Sequence, residues 1–530
     1  MIIKNIALAG HAGTGKTTLL EALLYQGGCV ERMGSVAAGT TVSDAAPEEI
    51  KRHSSVYTAT GSIMLDGQKI NLLDTPGMFD FAGGMVQGIS AADCVMITVS
   101  GKSGVRVGTK KAYRAAEGKP RMFVVTKLDD ENANFYNVLT ELKSAFGPSV
   151  CPVVVPVIAD RKVDSYINLI EMKAYRYDKD GKAQEIPMPT SEVSEKLSYR
   201  VDGLIQAFSE AIAETDEELF EKFFSGEEFT QKERVDGIHK GMRDGTITPV
   251  ACVSAQMLEG VDLLCKEMEL LVPEASDEIA ALNQNGEEVV LHQSPEEPVC
   301  VQVYQTLADP YVGKLSMMRV ISGTLKAGAE LVNSKTGATE KLNKLFFLCG
   351  KKQTETAVAE AGDLVAATKL SANTGDTLCD SSRVVSLPRS SFPTPCYSMA
   401  VRPAARGDEA KVAAAIQKIL EEDQTLSYQQ NPATNEMILS GLGEQHLSAV
   451  ISKLKADFGV DVVLSVPKIA YRETIRKKVK VQGKYKKQSG GHGQFGDVYI
   501  RFEPQTETED LVFAAEPVGG CVPKDVIPSG

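Results

Sequence analysis

What this 530-residue chain lacks narrows the field first. It has no CxxC pair. Its ten cysteines are scattered, and its six histidines do not gather beside them. Structural zinc is therefore not expected, and the cysteines read as the reduced thiols of a cytosolic protein. No run reaches the roughly 18 apolar residues of a membrane helix. The apolar start MIIKNIALAG is too short for a signal peptide and runs straight into functional sequence. A cytoplasmic protein with no membrane partner is expected. No low-complexity tract or repeat of fixed period is present, so repeat architectures are set aside. The net charge of −13 argues against a chain that is basic throughout, but leaves room for a local basic region. What remains is an ordinary globular composition, 43% hydrophobic and 24% charged. At this length it fills roughly three to five domains.

Strand-like runs at IIKNIALAG, KINLLDTPG, CVMITVS, RMFVVTKLD and TPVACVSA alternate with helical spacing, as at 107–117 and 131–146. That alternation predicts a doubly wound α/β domain over 1–275, with a mostly parallel sheet. It is interrupted by an acidic stretch at about 160–245, read as helices on an insertion. The polar, proline-bearing 273–298 reads as a linker. Short strands and turns over 290–388 predict a β-barrel. Residues 393–466 read as strand, helix, strand, helix, strand, a small α+β unit. From 467 to 530 the chain turns to basic strands and glycine loops.

The first strand opens into GHAGTGKTT: Gly10, His11, Ala12, Gly13, Thr14, Gly15, Lys16, Thr17 and Thr18. This fits GxxxxGK[ST]. Backbone N–H groups in such a loop surround phosphates, and the following helix N-terminus favours their charge. Lys16 is expected at the β/γ-phosphates, and the Thr17 hydroxyl on Mg²⁺. A chance glycine loop is the bland alternative, and the strand before and helix after argue against it. DTPG follows, with Asp74, Thr75, Pro76 and Gly77. Asp74 is expected to hold the metal through water, and the Gly77 N–H to contact the γ-phosphate. TKLD (Thr126, Lys127, Leu128, Asp129) closes a later strand, where ligand loops of such sheets lie. Asp129 can accept from guanine's ring N–H and exocyclic amine, a donor pair adenine lacks. GTP and GDP are therefore expected over ATP, and an ATPase or kinase is disfavoured. Ser254, Ala255 and Gln256 supply a third loop near the base. Ser55 is the candidate for a hydroxyl that reaches Mg²⁺ when its loop orders around GTP; the alternative is a plain loop serine.

Taken in this order, the motifs resemble translational GTPases, and specifically the elongation factor G family. The resemblance covers nearly the whole chain. It is carried further by GLGEQHLSAVISKLKADFGVDV, YRETI, KYKKQSGGHGQFGDVYIRFEP and GGCVPKDVIP. It implies a P-loop GTPase α/β domain with an inserted subdomain, a β-barrel second domain, an α+β third domain and a partial α+β fourth domain, with the chain stopping inside the fourth. It further implies the ribosome as partner, and a monomer off the ribosome.

The departures are informative. The family has histidine where this chain has Met78, aspartate at Gly13, asparagine at Thr126 and RGIT at RHSS. Together with GTTVSDAAPEE, these look like the divergent elongation factor G-like paralogues. Lys16, Gly77 and Met78 form the expected catalytic set. Methionine offers only a weakly accepting thioether, and losing one positioned polar group can cost on the order of 10²–10³ in rate. Slow hydrolysis is expected. A GTP-dependent ribosome-binding factor without turnover, in recycling, stress or ribosomal protection, stays open beside a translocase. Phe79 and Phe81 read as packing residues.

Residues 468–487 hold nine Lys and Arg against the single acid Glu473. This reads as phosphate-backbone contact with ribosomal RNA, or as a solvated strand face. Lys484, Lys486, Lys487, Gln488 and His492 are the RNA-binding candidates.

Overall fold

The strand Ile3–Gly10 is buried along its whole length. Its residues fit a sheet covered on both faces. The computed structural model describes residues 1–160, 162–189, 192–194, 199–274, 278–309, 313–471, 473–505 and 511–514. They fall in two units divided between Pro467 and Lys468.

In the first unit, seven strands lie in the order 59–65, 68–74, 3–10, 94–100, 121–126, 248–252 and 150–152. All neighbours are parallel except Ala59–Leu65, which runs against Gln68–Asp74. Helices Lys16–Gln26, Ala82–Ala91, Val107–Ala115, Phe135–Phe146 and Val261–Leu271 alternate with these strands. Leu19, Leu20 and Leu23 of the first helix join Leu8, Ile97, Phe123 and Tyr136 in one buried cluster. The register pairs Gly10 with Thr98, Ser100 with Thr126, and Val125 with Cys252. The carboxyl ends of four adjacent strands therefore meet at one edge, where ligand loops of open α/β sheets lie.

The insertion differs from the helices expected at about 160–245. A four-stranded antiparallel sheet comes first: Val154–Ala159, Lys162–Asn168, Lys173–Tyr177 and Ala183–Ile186. Helices Val201–Ala213, Glu217–Phe224 and Gln231–Asp244 follow. These strands are only four to seven residues long and mix charged, polar and apolar residues, so their alternation was hidden in the sequence. The stretch read as a linker also carries structure. Ile279–Asn283 and Glu288–Leu291 form a hairpin, and Val385–Ser386 adds a third strand. The Asn283 side chain accepts from the N–H groups of Asn285 and Glu287, which fixes that turn.

The next domain is all β. Its eight-stranded sheet surrounds Val301, Val303, Met318, Val320, Leu345 and Leu378. It is pinned to the first domain by a buried Lys69–Asp363 pair at 2.8 Å and by Asn5 Nδ2 donating to the Gly362 carbonyl at 2.7 Å. Residues 397–465 form a four-stranded sheet with helices Glu409–Glu422 and Glu444–Phe458. Between the helices stands a hairpin, Ser427–Asn431 with Glu436–Gly441, where a single strand was expected. The intervening residues Asn431–Asn435 make its turn, closed by the Asn435 N–H on the Asn431 carbonyl. In the second unit, Val479–Ser489 pairs with His492–Phe502 in a two-stranded hairpin. Residues 511–514 carry no strand.

Candidate nucleotide-binding site

The phosphate loop is shaped by three glycines with left-handed φ: Gly10 at 140°, Gly13 at 75° and Gly15 at 88°. A Cβ at Gly10 would stand 2.6 Å from the Thr98 carbonyl oxygen, so only glycine lets the strand leave the sheet this closely. Thr14 stitches the loop, its Oγ1 donating to the His11 carbonyl at 2.9 Å. Gly15 caps the helix that begins at Lys16. Lys16 Nζ is buried in the loop and donates to the carbonyls of Gly10 at 3.3 Å and His11 at 3.1 Å. Burial lowers its pKa from the usual lysine range. Gly77 approaches closely as well: a Cβ there would stand 2.9 Å from the Ala12 nitrogen. Thr75, two residues before it, is tied through its hydroxyl to the Leu8 carbonyl at 2.7 Å.

Beside the lysine lies an oxygen-lined niche. Thr17 Oγ1 donates to Asp74 Oδ2 at 2.7 Å and sits 3.1 Å from Ser55 Oγ. Ser43 faces the Asp74 carboxylate and Ser55 faces that of Asp44, yet Asp74 Oδ1, Asp44 Oδ2 and Ser43 Oγ are buried without a hydrogen bond of ordinary geometry. Burial raises the Asp74 carboxyl, and Asp44 adds to the rise. Buried oxygens left without partners are costly. A hard cation beside a phosphate would satisfy these groups, and an all-oxygen set suits Mg²⁺ rather than a softer metal. Among the described residues no group of three His, Cys, Asp or Glu forms a cage for a metal by itself. Ser43 and Asp44 were not singled out in the sequence. Their signal was an aspartate in a small-residue loop upstream of Ser55.

At the other end of the edge, TKLD and the third loop come together. Ser254 Oγ donates to Asp129 Oδ1 at 2.8 Å, which orients an otherwise exposed carboxylate. Thr126 Oγ1 donates to the Thr14 carbonyl at 2.5 Å, so this residue joins the two loops through its hydroxyl. Lys127 takes φ 59° and lays its side chain beside Gly15. Leu128 and Ala255 are buried, and Gln256 is exposed.

Met78 faces a different environment. It packs with Tyr57 against Val56, Phe81 and Ala449, an apolar cluster that reaches helix Glu444–Phe458. Phe81 is buried, in keeping with a packing role. Phe79 is half exposed, with its ring 5.8 Å from His11 and beneath the Lys111 ammonium at 4.1 Å. His11 has its pKa lowered by burial, then by Lys16 and Arg106. Two residues past Met78, Asp80 Oδ2 accepts from the Gln445 N–H at 2.9 Å and the His446 N–H at 3.3 Å. Sequence reading had no signal for that contact, because it joins positions 365 residues apart.

In the second unit, Lys484 stands 3.8 Å from Asp497 and 5.7 Å from the Phe495 ring centroid. Lys486, Lys487 and Gln488 are exposed on the same strand. The His492 backbone pairs with Ser489, and its side chain is outside the described residues.

Comparison with known proteins agrees with this geometry. The family profile of the elongation factor Tu GTP binding domain matches residues 1–274. Those of elongation factor G domain 2, domain III and domain IV match 298–381, 392–466 and 467–529. An elongation factor G-like protein of Thermotoga maritima is 35% identical over 99% of this chain and 76% of its own length. Elongation factor G of Thermotoga neapolitana is 34% identical over the same shares. A crystal structure from Thermus thermophilus superposes with a TM-score of 0.83 at 38% identity, covering 95% of this chain and 73% of that one. No described helix is long and apolar enough to cross a membrane. A phosphate loop, a guanine-type loop and four successive domain matches thus lead to one conclusion: the chain belongs to the elongation factor G family, as a translational GTPase with elongation factor G-like domain order.

Proposed function

We propose that this protein binds GTP with Mg²⁺, acts on the ribosome in tRNA–mRNA translocation or a related step, and hydrolyses GTP slowly. The observation that carries the slow step is the setting of Met78. It lies directly after Gly77, where the family resemblance expects a histidine to place the attacking water. Its thioether instead joins Val56, Tyr57, Phe81 and Ala449. Phosphoryl transfer in such sites depends on positioning and electrostatics, so a missing polar group acts on rate more than on binding.

The remaining roles belong to the same proposal. Lys16 exchanges the Gly10 and His11 carbonyls for β/γ-phosphate oxygens. Gly77 offers its N–H to the γ-phosphate. Thr17 and Ser55 hold the cation directly, and Asp74 holds it through water. Mg²⁺, when bound, neutralises phosphate charge. Asp129, oriented by Ser254, reads guanine, with Lys127 along the base. Lys484, Lys486, Lys487, Gln488 and His492 contact ribosomal RNA. Off the ribosome the protein is a cytoplasmic monomer. The functional segments are 1–275, 290–388, 393–466 and 467–530.

The second reading, a GTP-dependent ribosome-binding factor without significant turnover, rests on the same Met78 setting. Multiple-turnover GTP hydrolysis with and without ribosomes separates them. Slow, ribosome-stimulated turnover supports the first, and tight GTP-dependent ribosome binding without turnover supports the second. Stimulated turnover on the order of 10 s⁻¹, typical of enzymes, would remove the slow step from both.

A further inference from the structure

The loop that brings Ser55 to the cation niche is polar and leaves the sheet for more than thirty residues, from the end of helix Lys16–Gln26 to strand Ala59–Leu65. Something must hold its backbone. Two buried glutamates do so. Glu21 accepts from the Gly34 N–H at 2.9 Å and the Val42 N–H at 2.6 Å. Glu49, 3% exposed, sits in the short helix Pro47–Arg52. Its Oε2 accepts from the Ala46 N–H at 3.0 Å. Its Oε1 accepts from both Val56 and Tyr57 N–H groups, each at 3.0 Å.

The first of these three bonds is ordinary helix capping, which a surface glutamate performs without burial. The other two leave the helix and grip the chain immediately after Ser55. One carboxylate thus ties residue 46 to residues 56 and 57. Ser54 and Ser55 become the apex of a closed turn, with Ser54 N–H on the Glu49 carbonyl at 3.2 Å. At that apex Ser55 Oγ meets Thr17 Oγ1 at 3.1 Å. Burying a carboxylate with only backbone donors around it is costly. Burial raises Glu49 to about 7, with a smaller rise from Asp44. A cap alone gives no reason for that cost; a bridge across the apex does.

We propose that Glu49 is a positioning residue for nucleotide-linked cation binding: it holds the 54–57 backbone so that the Ser55 hydroxyl reaches the cation beside Thr17 and Asp74. This rests on the GTP- and Mg²⁺-binding reading above. It predicts a defect confined to the triphosphate state, because the diphosphate leaves Ser55 without a γ-phosphate-side cation geometry to complete.

The test titrates Mg²⁺ against the affinity of a non-hydrolysable GTP analogue and of GDP, in the parent chain, Glu49→Ala and Glu49→Gln. It also follows trypsin cleavage after Lys51 and Arg52, which lie on the tied helix. Expected for Glu49→Ala are about a 10-fold higher Mg²⁺ requirement for the GTP analogue, lost analogue-dependent protection of the two sites, and unchanged GDP affinity. Glu49→Gln, which keeps one acceptor oxygen, should fall between Ala and the parent. If Glu49→Ala lowers thermal stability, the double-mutant cycle with Ser55→Ala decides. Glu49→Gln should add no further Mg²⁺ defect once the Ser55 hydroxyl is gone. Full additivity, or a Glu49→Ala titration that overlays the parent, overturns the proposal. A parent chain with no Mg²⁺-dependent GTP binding would overturn the nucleotide reading itself, and this inference with it.

Discussion

The two ends of the nucleotide cleft are built by different rules. At the base end, Ser254 donates to the Asp129 carboxylate, and Thr126 ties its own loop to the phosphate loop through the Thr14 carbonyl. At the γ-phosphate end, Met78 sits in an apolar cluster shared with a helix more than 360 residues away in sequence. The first arrangement favours recognition, because a fixed carboxylate can be matched by a ligand's donors. The second favours packing, because a thioether set among Val56, Phe81 and Ala449 offers little to a water molecule. On the proposed reading, the contrast lets binding and hydrolysis diverge separately within one site.

The largest expected effect breaks the base end. Asp129→Asn replaces a carboxylate proposed to accept from two guanine donors, each a charge-assisted bond of about 1.5–3 kcal/mol, with a neutral amide that accepts through one oxygen and opposes the second donor with its own N–H. GTP affinity should fall by roughly 10²–10⁴, and xanthosine triphosphate should bind better than to the parent. Equilibrium titration of the three triphosphates checks this. Equal affinity of the parent for ATP and GTP would show that Asp129 does not read the base.

Repairing the other end should have the converse signature. Met78→His is expected to raise ribosome-stimulated turnover by about 10-fold, equivalent to about 1.4 kcal/mol of barrier, with nucleotide affinity unchanged. Single-turnover and multiple-turnover kinetics on ribosomes measure it. An unchanged rate would mean that the 54–57 loop or another group limits the step.

A smaller effect asks whether ribosome binding is independent of both ends. Replacing Lys484, Lys486 and Lys487 with Gln should reduce the slope of log affinity against log salt by about 2, as expected for three lost phosphate contacts. GTP affinity should not move. An unchanged slope would identify the patch as a solvated face.

The smallest effect tests whether the comparison is one of local chemistry rather than global stability. Glu267, on helix Val261–Leu271, is fully buried, and burial raises its carboxyl to about 8. The folded state therefore keeps a proton that the unfolded chain loses near the ordinary glutamate value of 4.5. This contribution is fully present below about pH 4.5 and is lost as pH rises through about 8. Glu267→Gln retains an oxygen for the Asn168 Nδ2 donor. Thermal melts should show a flatter decline between those pH values, with GTP affinity unaltered.

The sequence by itself determined the local chemistry of the nucleotide loops. The glycines of GHAGTGKT, the aspartate of DTPG and the carboxylate of TKLD would carry their proposed roles within a few residues, and the strand before each loop fixes where it lies. It also determined the order of the domains, because hydrophobic period changes along the chain. It did not reveal the sheet within the insertion or the hairpin at 279–291, where strands of four to seven residues are too short and too charged for their period to stand out. Nor did it reveal Asp44 in the cation niche, the Glu49 clasp, the Asp80 contact to helix Glu444–Phe458, or the surroundings of Met78. Those depend on side chains and backbone donors brought together from distant positions by packing. A buried carboxylate or thioether acquires its role from the neighbours that exclude water around it, and only the tertiary structure chose those neighbours.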